Sequence, residues 1–185
     1  LGRAQRACCN EVAEAMEAMQ GSDAADLEAR FVAMFRAEWQ AERGDEAKLR
    51  SIAIVDEAPQ EQYLLPEFLL FQRLFERHGI NAWICDPAEL EHTGAGLTLH
   101  GQPVDLVYNR LTDFALDAPP SRALREAWCA GLAVITPHPR AHALYADKRN
   151  LVLLSDPARL RSLGVGEGTI SGTITFIITA TKRLA

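Results

Sequence analysis

Hydrophobic positions recur at helical spacing along the first quarter of the chain and then gather into short continuous runs. From Arg3 to Met19 an apolar pattern runs through Ala7, Val12, Ala15, Met16 and Met19, with acids between them. That spacing predicts an amphipathic helix closed by Gly21. Ser22 and Asp23 can cap a second helix, in which Leu27, Phe31, Met34, Phe35 and Trp39 share one face before Gly44. Residues 1–49 therefore read as a helical hairpin, with Leu27, Phe31, Phe35 and Trp39 as the buried face of its second arm.

The pattern changes at Ser51. Ile52–Val55 is a short apolar run ending in Asp56-Glu57, as a strand buried on both faces would be. Pro66 opens a helix carrying Phe68, Leu69, Phe71, Leu74 and Phe75, which stops at His78-Gly79. Ile80–Cys85 reads as a second strand ended by Asp86-Pro87. A helical turn and a hairpin follow, with arms Leu97–Leu99 and Val104 and a turn at His100-Gly101-Gln102. Val104–Tyr108 is the third main strand and runs into Asn109-Arg110. Ser121 caps a helix ending at Gly131, and Leu132–Ile135 is a fourth strand stopped by Thr136-Pro137. One further helix runs from Arg140 through Leu144, Leu151 and Leu154, and a shorter one from Ser155-Asp156-Pro157 to Gly164.

Strands alternating with helices of crossover length predict an α/β fold: a Rossmann-like, mostly parallel sheet over residues 50–164. Its deepest core positions are expected at Ile54, Phe71, Leu74, Ile84, Val107 and Val134. Ligands of such sheets sit beyond the carboxyl ends of the strands, where Asp56, Glu57, Asp86, Asn109, Arg110 and Thr136 would lie. Residues 165–185 alternate Thr with Ile and Phe and read as one or two strands. Because an unpaired apolar edge invites association, they are expected to open a further domain cut short here.

Composition narrows the function classes. Nineteen Lys and Arg against twenty-five Asp and Glu, in 185 residues, leave a net charge of −6, which argues against a nucleic-acid binder. No apolar run reaches bilayer-spanning length, so no membrane partner is expected. Four Cys at 8, 9, 85 and 129 follow no zinc spacing and read as buried free thiols of a reducing cytoplasm. An exposed apolar tail or helical hairpin gives a route to self-association.

Several chemistries are disfavoured. The turn after Val55 reads Asp-Glu-Ala-Pro-Gln-Glu-Gln, without the glycines a dinucleotide pyrophosphate needs. His138 and His142 have zinc spacing, but Pro139 disfavours a helix at His138, so the two rings are not expected on one face. No serine sits in a nucleophile elbow, and Cys85 and Cys129 have apolar neighbours typical of a core. Arg110 is different, because a guanidinium at the mouth of a buried strand can grip a carboxylate or phosphate with two hydrogen bonds. Its structural alternative is an ion pair with Asp113, Asp56 or Glu57.

The stretches "GINAWICDPAEL", "LTLHGQPVDLVYNR" and "AWCAGLAVITP", followed by Lys148 near a helix start and Leu163-Gly164 at its close, resemble a known family. They are similar to the N-terminal (pre-ATP-grasp) substrate domain of ATP-grasp ligases, in the glutathione synthetase-like and glutathionylspermidine synthetase-like or circularly permuted branches. The likeness spans Ser51 to about Gly164. The tail "FIITATKRL" is similar to the segment leading into the ATP-grasp subdomain, with Thr179 where a proline is usual.

The resemblance implies an ATP-dependent carboxylate–amine or carboxylate–thiol ligase, with ATP and magnesium as its cofactors and a small-molecule acid as substrate. It places Lys148 near the nucleotide phosphates and Arg110 at substrate or phosphate, and Asn109, Asp56 and Glu57, at the same strand edge, are expected to bind substrate with Arg110. Arg110 and Lys148 are expected to converge in the most cationic spot of an acidic protein, with Asp56 or Glu57 holding them when the site is empty. The phosphate-covering loop and metal ligands of the family fall beyond residue 185, so this chain alone is expected to be inactive. The alternative is a non-catalytic Rossmann-like binding or interaction domain, and a nucleotide-binding enzyme of another type comes third.

Overall fold

The computed structural model of the chain describes residues 24–147 and 149–171. The helix expected over 3–19, Cys8, Cys9, Lys148 and the strands expected beyond residue 171 lie outside the described residues. The chain divides into two compact units, Leu1–Pro139 and Arg140–Ala185. Among the described residues no helix is long and apolar enough to cross a membrane.

The first unit is α/β. Helix α1 (Ala24–Arg43) leads to β1 (Ser51–Val55), α2 (Leu65–Arg77) and β2 (Asn81–Cys85). Strands β3 (Leu90–Thr93), β4 (Gly96–Leu99) and β5 (Gln102–Val104) follow, then β6 (Leu106–Asn109), α3 (Arg122–Cys129) and β7 (Val134–Thr136). A four-stranded sheet has the order β2-β1-β6-β7 with every pairing parallel. A second sheet, β3-β4-β5, is antiparallel.

Every residue of β1 is buried, which explains why its apolar run is continuous rather than alternating. Ile52 and Ile54 share one cluster with Val32, Phe35, Phe68, Phe75, Leu106 and Val134, on the side of α1 and α2. Ala53 and Val55 join Leu97, Leu99, Val107, Leu124, Ala127 and Ile135 on the other side, with α3 and the small sheet. The period-2 alternation of a strand thus serves two cores.

Several expectations need correction. The run Val104–Tyr108 is two strands in two sheets, because Asp105 interrupts it. Its carboxylate accepts hydrogen bonds from Arg50 N–H at 2.8 Å and from the Arg50 guanidinium at 3.2 and 3.3 Å. Ser51 Oγ accepts from Asp105 N–H and donates to the Pro103 carbonyl, both at 2.9 Å. This knot turns the chain, so Val104 ends the antiparallel sheet and Leu106 begins the parallel one. The hairpin also gains a third strand, β3, after a 3-10 turn at Pro87–Glu89.

The fourth strand starts later than expected. Gly131, at φ 71°, reverses the chain after α3, and Leu132 N–H still bonds back to the Ala127 carbonyl. Burial differs as well: Ile54, Leu74, Val107 and Val134 are buried, but Phe71 and Ile84 are only half-buried. Ile84 is on β2, an edge strand with one neighbour. On α1 the buried residues are Val32 and Phe35, with Trp39 half-buried, while Leu27 and Phe31 are exposed. The inward face is rotated because Phe35 stacks edge-on with Phe75 and Tyr108, at 4.9 and 5.0 Å between centroids. Cys85 is buried as expected, but Cys129, on the last turn of α3, is exposed.

The second unit carries α4 (Pro139–Tyr145, beginning at the unit boundary), α5 (Asn150–Leu154) and α6 (Pro157–Ser162). The single helix expected over 140–154 is broken. Asn150 Nδ2 donates to the Leu144 and Tyr145 carbonyls, both at 3.3 Å, while Asp147 accepts from Arg149 N–H at 2.8 Å. Such local side-chain bonds compete with the helical ladder. Asp156 caps α6 by accepting from Ala158 and Arg159 N–H. Residues 167–171 are helical where a strand was expected, with Ile170 N–H bonded to the Gly166 carbonyl at 3.1 Å.

Candidate functional site

Parallel pairing puts the carboxyl ends of β1, β2, β6 and β7 on one edge. The chain leaves β1 for β2 on one side and returns as β6 on the other, so β1 and β6 flank the point where the winding reverses. Ligand crevices of open α/β sheets form at such a point. Asp56 follows β1 there, and Asn109-Arg110 close β6. Arg110 N–H donates to the Val55 carbonyl at 2.8 Å, extending the ladder one step past β6.

The Arg110 side chain is built into its place. Its Cζ lies 5.3 Å from the Tyr108 ring centroid and 6.0 Å from that of Phe68, and its Nη1 donates to Tyr108 Oη at 3.1 Å. Nη2 is 3.3 Å from Glu67 Oε1, on the first turn of α2. Nε is buried without a hydrogen-bond partner, an uncommon state for a group with a full donor. The Tyr108 ring is itself held edge-on by Phe35 and by Phe71, the latter at 5.2 Å, so the hydroxyl end stands on a rigid aromatic base.

Asp56 is 8% exposed, and its Oδ1 accepts the Glu57 N–H at 2.9 Å. Burial raises its carboxyl above the ordinary range, against the opposing pull of the Glu57 N–H and of the Arg110 charge. Burial likewise raises the Tyr108 hydroxyl, and Arg110 works against that rise. Glu57 is exposed, and its carbonyl accepts from Gln62 Nε2 at 2.7 Å. Asn109 is buried, with its Oδ1 accepting the Leu111 N–H at 3.1 Å, which shapes the turn that presents Arg110. Asp86 ties the loops after β1 and β2 together by accepting from Ala58 N–H at 2.8 Å and Ala88 N–H at 2.9 Å.

Arg110 is thus paired with Glu67, not with Asp56, Glu57 or Asp113. The Asp113 carboxylate accepts the Ala118 N–H at 2.8 Å instead. Glu67 directly follows Pro66 and reads as an ordinary acidic residue of a first helical turn, so only its position on α2 discloses its pairing with Arg110. Among the described residues the edge of the first unit is a guanidinium set among carboxylates, not a cationic spot. Lys148 lies outside the described residues, and its expected convergence with Arg110 with it.

His138 belongs to the first unit, where its ring meets Trp128 edge-on at 5.5 Å. Among the described residues no three His, Cys, Asp or Glu side chains are grouped to hold a metal ion. No protein-family model matches the chain, and no curated protein matches it either.

Proposed function

We propose that the chain is the Rossmann-like substrate domain of an ATP-dependent carboxylate–amine or carboxylate–thiol ligase of the ATP-grasp type, with Arg110 receiving the carboxylate of a small-molecule acid. The observation that carries this reading is the placement of Arg110. One guanidinium, clamped between aromatic faces at the reversal point of a parallel sheet, has a carboxylate, Glu67, as its resting partner. A substrate carboxylate can take over that partnership with little rearrangement, because the geometry of the pair is one Arg already favours. Asp56 and Glu57 lie where they would meet the remainder of the acid, and Asn109 holds the turn. In this reading ATP and magnesium supply the activation of the acid. Lys148 is the residue proposed to approach the nucleotide phosphates.

Titration of the isotope-labelled chain with succinate, followed by amide NMR, tests the acid site. Saturable shifts at residues 56–58 and 110–111 that vanish in Arg110→Gln are the expected result. Absence of any saturable shift there overturns it. The coding sequence downstream of Ala185 tests the ligase class. A continuing frame with a Glu-x-Asn metal motif supports it, whereas a stop codon combined with intact acid binding favours a non-catalytic binding domain.

A further inference from the structure

Helix α1 carries two apolar stripes side by side. Val32 and Phe35 face the sheet, with Trp39 half-buried beyond them. Leu27, Phe31 and Met34, spaced four and three apart and so on one face, are 46%, 41% and 47% exposed. Three further contacts hold the helix in this orientation. Arg77 pairs with Glu28 at 3.2 Å, Arg36 donates to the His78 carbonyl at 3.0 Å, and Arg43 donates to the Gly131 carbonyl at 2.9 Å. A contiguous stripe of three large apolar side chains beside a folded core marks a surface that another element covers.

The chain itself supplies a fitting cover. Residues 3–19 have helical apolar spacing, and only the four residues 20–23, with Gly21 and Ser22 among them, separate them from α1 in sequence. Two helices joined so closely run antiparallel, and residues equally far from the turn face each other. For a turn centred between Gly21 and Ser22, Met16 stands opposite Leu27, Val12 opposite Phe31, and Cys9 opposite Met34. The four-and-three spacing of the exposed stripe is therefore repeated, in mirror order, by apolar residues of the preceding segment. A 17-residue helix is about 25 Å long, ample for a stripe spanning about 10 Å.

We propose that the Leu27–Phe31–Met34 stripe is the docking surface for residues 3–19 of the same chain, seated as an antiparallel helix with Val12 against Phe31. The proposal is independent of the acid site and of the ligase reading.

Hydrogen exchange on the full chain tests it. Val12→Asp should speed exchange of the amides of residues 27–34 by about tenfold or more, through local opening, while β1 amides keep their protection. The pair Val12→Lys with Phe31→Glu should restore protection that either charge alone removes. In a background with the native cysteines replaced by serine, Met16→Cys with Leu27→Cys should form a disulfide within one chain on mild oxidation, which reads the register even if exchange is perturbed globally. Unchanged exchange in Val12→Asp overturns the proposal. So does a disulfide that forms only between chains, or protection lost on dilution, since either makes a second copy the occupant.

Discussion

Arg110 at the end of β6 and Glu67 on the first turn of α2 are paired at 3.3 Å, in place of the Asp113, Asp56 or Glu57 expected as partners of Arg110. Crossing from sheet to helix, the pair keeps the guanidinium over Tyr108 and Phe68 and leaves a carboxylate as its resting companion. Glu67→Gln should therefore strengthen binding of a small carboxylate several-fold, because the ligand no longer competes with a fixed anion. Titration calorimetry with succinate measures this. Stability should fall by no more than about 1 kcal/mol, as for other partly exposed pairs.

Asp56 makes stability depend on pH in a defined direction. Its folded-state carboxyl titrates above the unfolded value, so between the two the folded state binds more protons. The stability from this group is fully present below the unfolded value, about pH 4, and is lost as pH rises through the raised folded value. Asp56→Asn keeps an acceptor for the Glu57 N–H and has no charge to desolvate. Its urea midpoint should exceed that of the parent chain at pH 7, and the gain should shrink toward pH 4.

Phe35 and Phe31 separate the two stripes of α1. Phe35 is buried among Phe75, Phe71 and Tyr108, so Phe35→Ala should cost about 3–5 kcal/mol through lost transfer energy and the cavity left behind. Phe31 meets Phe71 edge-on at 6.1 Å but remains partly exposed, so Phe31→Ala should cost clearly less. Equal losses in denaturant titrations of the two variants would contradict this assignment of faces.

The thiols at 85 and 129 should differ sharply. Burial, with Glu89 and Asp86 adding to it, pushes the Cys85 thiol up to about 12, whereas Cys129 is exposed. Alkylation at neutral pH followed by peptide mass spectrometry should modify Cys129 in the native chain, and Cys85 only after denaturation.

The four main apolar runs, the parallel α/β character and the position of Arg110 at a strand mouth were all legible from residue order alone. They depend on local periodicity and on chain connectivity, which a linear pattern carries. Ile52–Val55 announces a doubly buried strand because each of its residues meets one of two cores, and Pro66, Asp86-Pro87 and Asp156-Pro157 mark ends through backbone chemistry that needs no partner. Tertiary structure decided what depends on residues far apart. Asp105 breaks an apolar run only because Arg50 and Ser51 are there to receive it. Glu67 pairs with Arg110 only because the fold brings the first turn of α2 to the end of β6. The choice of Phe35 over Phe31 for the core follows from where Phe75 and Tyr108 stand. A periodic stripe states that a helix has an apolar face. Which edge of a wide face turns inward is set by the side chains waiting on the sheet.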